Sequence, residues 1–282
     1  MQLNPRYGDD PLVVLDGDAA TIAKPTIRQR RRLVEELGHL SDEQWAAPSR
    51  CESWSAQDVI VHLDSTNAFW GFSLSAGRKG EPTRFLATFD PKASPAELVA
   101  GAGTKAPGEV LDAFTASTEA LVALLESFSA EDWTRIAEAP PGHVSAAAVV
   151  HHALWDSWVH ERDVLLPLGL TPPEEPDEIA ACLRYGVALA PGLSLTNGVE
   201  DTGILAVSAT DPDVALVVEV DGRVVVRTGA PVGPVDVTLA GDAVDLVEAF
   251  SIRQPLDADV PTDKAWLVQG LADVFEADPD QR

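Results

Sequence analysis

Cysteine is nearly absent: Cys51 and Cys182 are the only two in 282 residues. That is too few for a disulfide framework or a thiolate-built zinc site. A reducing, cytoplasmic setting is therefore the default expectation. Positive charge is scarce as well, with 20 Lys+Arg against 45 Asp+Glu and a formal net charge of −25. Such a surface repels nucleic acid and anionic membranes at long range, so neither is expected as a partner. The same self-repulsion points to a monomer or a weak dimer. No apolar run reaches the roughly 18 residues that span a bilayer, and Met1 to Asp10 is polar, without the apolar centre of a signal peptide. Nucleotide-binding glycines are lacking too: Gly101-Ala102-Gly103 is a lone doublet with no strand before it. There is no nucleophile-elbow serine.

Apolar residues are plentiful. They make up 45% of the chain, enough for a substantial core, and the length suggests two domains. The first 24 residues read as irregular. Ile27, Leu33, Val34, Leu37 and Leu40 then recur at helical spacing, with Arg28, Arg30, Arg31 and Arg32 between them. Ser55 followed by Asp58 reads as a capping box opening a second helix through Trp70. Residues 77–108 read as a long connection with a short helix near Pro95–Val99. Further helices are expected over 109–128 and 144–166. After the linker Pro172-Pro173-Glu174-Glu175-Pro176, one helix over 177–190 should close at Pro191-Gly192. Strands follow at 204–209, 214–220, 223–228 and 235–239, with Asp221-Gly222 as a hairpin turn, then helices from Asp242 to Phe250 and from Asp263 to Phe275. The class is α+β: a four-helix bundle over residues 1–170, and over 177–282 a small domain with a mostly antiparallel sheet.

The helical half contains a faint repeat. Leu37 to Trp45 resembles Leu125 to Trp133, and each tryptophan leads through a Pro-containing loop to a serine-opened helix. His62 lies seven residues beyond Ser55, and His152 seven beyond Ser145. Two such units would pack as a bundle with approximate twofold symmetry.

Chemistry-bearing residues concentrate in Val149–Asp163. Asp156 and His160, four apart on a helix, share a face with Cβ atoms about 5–6 Å apart, close enough to grip one ion. A catalytic zinc-type site takes three protein ligands and leaves one position open, and His62, on the apolar side of the other unit, is the natural third. The plainer alternative is that His62 is a satisfied core histidine and Asp156–His160 an ordinary helix pair. His152–Asp156 is an equally good pair by spacing. His152 and His160 lie about 12 Å apart along the axis, so one would be a ligand and the other a supporting residue.

Pro48-Ser49-Arg50-Cys51-Glu52-Ser53-Trp54-Ser55-Ala56-Gln57-Asp58-Val59-Ile60-Val61-His62-Leu63 resembles the second-helix signature of the mycothiol-dependent maleylpyruvate isomerase family, actinobacterial relatives of the DinB-type bundles. Trp155-Asp156-Ser157-Trp158-Val159-His160-Glu161-Arg162-Asp163 resembles that family's fourth-helix pattern. The resemblance covers roughly residues 26–166 and selects His62, Asp156 and His160 as metal ligands, with Asp156 a shorter arm than the family's Glu. The family's C-terminal region resembles a sterol-carrier-like α+β domain, which suits residues 178–276. There Phe250-Ser251-Ile252-Arg253 resembles a helix ending in Gly-Arg, with Ile252 in place of the glycine.

The resemblance implies a divalent cation, zinc for preference, and a low-molecular-weight thiol co-substrate such as mycothiol. Isomerisation or S-transfer on a small electrophilic substrate would follow. Arg253 is the candidate catalytic cation for a substrate carboxylate if the second domain closes over the bundle. Otherwise it is a surface arginine neutralising Asp257 and Asp259. A non-catalytic small-ligand-binding protein and a metal-dependent hydrolase are the alternatives on this scaffold. Cys51 is expected to be a small packing residue, and His143 and His151 surface or loop residues.

Overall fold

The computed structural model describes residues 3–275. Four long helices form the first half: α1 (Ala23–Leu37), α3 (Ala56–Arg78), α5 (Pro107–Glu126) and α6 (Ala146–Leu165), with short helices α2 (Asp42–Trp45) and α4 (Ala93–Gly101) between them. The local reasons are visible at the helix starts. The Ser55 side chain accepts from the Asp58 N–H while Asp58 reaches back to the Ser55 N–H, and Ser145 caps α6 through the Ala148 N–H. The repeat is present in the fold: Trp45 ends α2 and Trp133 sits in a single 3-10 turn, both buried, each just before a serine-capped helix. Leu33, Leu37, Val59, Ile60, Leu63, Val110, Phe114 and Val164 fill the bundle's own core.

The second half begins with α7 (Pro176–Thr196) and continues through β4 (Gly203–Thr210), β5 (Val214–Val220), β6 (Val224–Thr228), β7 (Val237–Asp242), α8 (Ala243–Phe250) and α9 (Trp266–Phe275). The α+β class holds, but the five-stranded sheet is mixed. Its centre, β4–β5–β6, is antiparallel, and each edge carries a parallel strand, β7 on β4 and β1 (Val13–Leu15) on β6. The first 24 residues are thus not wholly irregular. Val13, Val14 and Leu15 pair with Val224, Val225 and Val226, some two hundred residues away, and three residues alone show no period. A division at residue 170 is crossed by this strand. It is crossed again by a single apolar cluster that runs from Trp70 and Leu154 through Tyr185 to Val218. Of the expected second domain, residues 276–282 lie outside the described residues.

Two more expectations need correction. A hairpin, β2 (Ile136–Ala139) and β3 (Gly142–Ser145), precedes α6 where a helix from 144 was expected. Its four-residue strands are too short to alternate visibly. Helix α7 does not stop at Ala190 but continues through Pro191 to Thr196. Residues 191–196 are all buried, and burial against α9 overrides the local breaker. Although α7 is long and apolar enough to cross a membrane, most of it is buried in the core. Charge also ties the layers together. Arg32 bonds both Glu161 on α6 and Glu178 on α7, two carboxylates with no exposure, at 2.8–3.0 Å.

Two glycines allow a direct test of the α7–α9 contact. A Cβ on Gly270 would lie 1.9 Å from the Ala190 carbonyl oxygen, whereas one on Gly71, inside α3, would meet nothing within 4 Å. Gly270→Ala should therefore destabilise the protein by about 1–3 kcal/mol. Gly71→Ala should stabilise it by about 0.5–1 kcal/mol, both read from urea unfolding midpoints. Ile252 sits at φ 54° immediately after α8, where a β-branched residue is strained by roughly 1–2 kcal/mol. Ile252→Gly should raise the midpoint; an unchanged or lower midpoint contradicts the strain.

Candidate metal centre

Helices α3 and α6 pack side by side, and each presents a polar group toward one point. His62 comes from the second turn of α3, set by the Ser55 cap; Asp156 and His160 lie one turn apart on α6. Asp156 Oδ1 is 4.0 Å from His62 Nε2 and 3.6 Å from His160 Nε2. The two imidazoles stand edge-on with centroids 5.1 Å apart. The three side chains are only 12–13% exposed.

These spacings suit a cation better than hydrogen bonds. Both exceed the 2.7–3.2 Å typical of N–H···O bonds, and Asp156 Oδ2 is buried with no hydrogen-bond partner. Ligands about 2.0–2.1 Å from a tetrahedral ion lie about 3.3–3.4 Å from one another. Bringing the 3.6 and 4.0 Å separations to that value takes contractions of roughly 0.2 to 0.7 Å. Two imidazole nitrogens and one carboxylate oxygen are a donor set for zinc or a similar divalent ion, with a position left open.

Behind the triad lies Asp163, a carboxylate with no exposure. It accepts from His160 Nδ1 at 2.9 Å, from Arg50 Nε at 2.9 Å and from Arg253 Nη2 at 2.7 Å. A carboxylate on the far nitrogen fixes both tautomer and ring orientation, leaving Nε2 turned toward Asp156. Burial pulls His160 down, but its bond to Asp163, the Cys51 thiol and the charge of Asp156 outweigh that and lift it to about 10. Burial raises both carboxylates. The proximity of His62 and the charge of His160 nonetheless bring Asp156 well below its ordinary value, and His160 and Arg253 do the same for Asp163.

His152, the rival partner of Asp156, is held elsewhere. Its Nδ1 meets the Tyr185 hydroxyl at 2.8 Å, and its ring lies against Trp70, Trp155 and Tyr185. Burial pushes it down to about 4, so it is neutral at pH 7. Cys51 does pack against the bundle core. Its thiol also donates to Asp163 at 3.2 Å and touches His160 Nδ1 at 3.6 Å. Cys51, His160 and Asp163 form a second close group of donors, but there the Arg253 guanidinium already supplies the positive charge. His143 and His151 are buried, not superficial. His143 contacts the backbone of Gly8 and Thr83, and His151 donates to the Ala147 carbonyl.

Arg253 is not paired with Asp257 or Asp259. The α+β half carries it to the bundle, where Nε and Nη2 bond Asp163 and Nη1 bonds the Ser251 carbonyl. Alongside it, Glu248 on α8 is clamped by Arg50 and Arg162 at 2.7–3.1 Å. Sequence reasoning missed Arg50, Glu248 and Tyr185 as neighbours of the site. A charged residue on an amphipathic helix looks like any other solvated position until its partner is known.

Residues 27–165, just under half of the chain, match the family described as mycothiol maleylpyruvate isomerase N-terminal domain. No curated protein matches the chain. The crystal structure of the mycothiol-dependent maleylpyruvate isomerase superposes with a TM-score of 0.58 at 18% identity, covering 86% of this chain and 93% of that one. A histidine-to-alanine mutant of the mycothiol-dependent maleylpyruvate isomerase superposes with a TM-score of 0.57 at 17% identity and the same coverage. The likeness extends over both halves and shows a shared fold.

In metal-stripped protein the His160 proton is stabilising. Its folded value of about 10 lies above the ordinary 6.5, so the contribution is complete below pH 6.5 and is lost as pH rises through about 10. Ring resonances of His160 should titrate near pH 10, and the unfolding midpoint should fall between pH 7 and 10. Asp163→Asn should move the ring titration back toward neutrality. A wild-type titration near 6.5 contradicts the arrangement.

Proposed function

Residues 27–165 belong to the mycothiol maleylpyruvate isomerase N-terminal domain family, and from that premise we propose that this chain is a metal-dependent enzyme using a low-molecular-weight thiol of the mycothiol type on a small electrophilic substrate. The supporting observation is the convergence of His62, Asp156 and His160 from two helices onto one cation-sized point, with Asp156 Oδ2 unpaired behind it. These three residues would hold the ion, zinc by the character of the donors. When bound, the ion supplies deprotonation of a thiol whose free pKa is near 8.5, so that thiolate is present at neutral pH.

The chain's own groups have distinct tasks. Asp163 keeps the His160 ring in the tautomer whose Nε2 faces Asp156. Trp54, 5.3 Å from the His62 ring, shields that ligand from water. Arg253 and Arg50 bring positive charge to the same end of the bundle, and Arg253, from the α+β half, is proposed to attract a substrate carboxylate. Addition of the thiolate to an electron-poor double bond leaves a single bond free to rotate. Expulsion of the thiolate then returns the isomer with no net change in atoms. Retention of the adduct would instead be S-transfer, and the family points to isomerisation.

The test combines metal analysis with an electrophile panel assayed with mycothiol, with glutathione and without thiol. We expect about one divalent ion per chain and turnover only with a thiol. His62→Ala should lose the ion and lower turnover by two orders of magnitude or more, while Arg253→Met should chiefly raise KM for carboxylate substrates. Thiol-independent hydrolysis, or ion binding with no turnover across the panel, would refute the thiol-dependent reading.

A further inference from the structure

Arg30 is a deeply buried charge that the site as described does not use. It sits on α1 with 1% exposure. Its Nη2 donates to the Ala153 carbonyl at 2.9 Å, but Nε and Nη1 are buried without a hydrogen-bond partner among the described residues. Its neighbours Arg28, Arg31 and Arg32 all have carboxylate partners, Arg31 at the surface and Arg28 and Arg32 on buried glutamates. Across the seam, α6 presents Asp156 Oδ2, also buried and unpaired. Burial pushes Arg30 down to about 10, and the charge opposing that push is Asp156. The adjacent residues repeat the pattern. Gln29 Oε1 and Ser157 Oγ are buried and unpaired, although Gln29 Nε2 reaches the Ser157 carbonyl. Five unpaired polar atoms in one helix–helix seam call for partners, and an ordered water bonding two to four of them is the usual solution.

We propose that Arg30 is a positioning residue for the metal centre: through a buried water it holds Oδ2 of Asp156, so that Oδ1 stays turned toward His62 and His160. This rests on the metal reading above. Folding alone does not account for Arg30. A desolvated guanidinium with one hydrogen bond is a burden that a side chain of similar volume and no charge would relieve. What the guanidinium provides is a fixed carboxylate. A metal-binding Asp free to turn can offer either oxygen or both, whereas one tethered through its rear oxygen offers a single defined donor.

The experiment titrates metal-stripped wild type, Arg30→Met, Arg30→Gln and Arg30→Lys with Co²⁺, followed by its visible d–d bands, and with Zn²⁺ against a chromophoric chelator. Wild type should take up one ion. The two neutral variants should bind about 10–100-fold more weakly with shifted bands, and Arg30→Lys should recover part of the affinity. Metal-free Arg30→Met should melt no lower than wild type, and Arg30→Gln is read in its place if that variant does not fold. Neutral variants with wild-type affinity and bands, whatever their melting temperature, overturn the role of Arg30 and leave the metal reading standing. A wild type that binds no Co²⁺ overturns the metal reading, and the role of Arg30 with it.

Discussion

Asp163 is the constraint on which the rest of this structure leans. A carboxylate with no solvent contact is tolerable only when its lone pairs are taken up by donors, preferably charged ones. Here the donors come from three places: Arg50 in the loop before α3, His160 on the same helix, and Arg253 beyond α8. Satisfying this one group therefore fixes the entry to the helix that carries His62. It also orients the ring of His160 and docks the α+β half on the bundle. Glu248 extends the pattern, lying between Arg50 and Arg162. Positive and negative groups alternate from Arg253 through Asp163, Arg50 and Glu248 to Arg162. Each of the two carboxylates keeps a cationic partner if one arginine is lost, and the shared partners couple the interface between the halves to the order of the site.

The internal repeat explains why two histidines compete for one role, and the third layer explains which one is released. His62 and His152 occupy equivalent places after their capping serines. Helix α7 packs against α6 and puts the Tyr185 hydroxyl on His152 Nδ1. Enclosed by Trp70, Trp155 and Tyr185, that ring is a neutral wall element. His62 packs on Trp54 and faces the Asp156–His160 turn instead. The symmetry of the bundle is broken by what lies on top of it.

Much of this was legible in the chain. The long helices showed because 3.6-residue periodicity and serine capping are local signals, and the Asp221-Gly222 hairpin because its turn chemistry is local as well. The three converging residues were nameable from spacing together with the resemblance. The residues that hold them in place were not. β1 and the β2–β3 hairpin are too short to carry a period, and the continuation of α7 through Pro191 comes from burial against α9. Arg30, Arg50 and Glu248 look like surface charges because nothing local marks a buried arginine or glutamate. Ile252 shows the reverse case: the resemblance marked a missing glycine there, and the backbone at φ 54° supplies the reason.

By itself, then, the sequence determined the types and order of the longer elements and the stock of donors near α3 and α6, since propensity, capping and periodicity act within a few residues. The tertiary structure alone decided which imidazole meets Asp156, which carboxylates lose their water and which arginines follow them inward. Those outcomes depend on how each helix is rotated against neighbours distant in the chain. Desolvation, and the charged partners that outweigh it at Asp156, His160 and Asp163, exist only once those neighbours have closed.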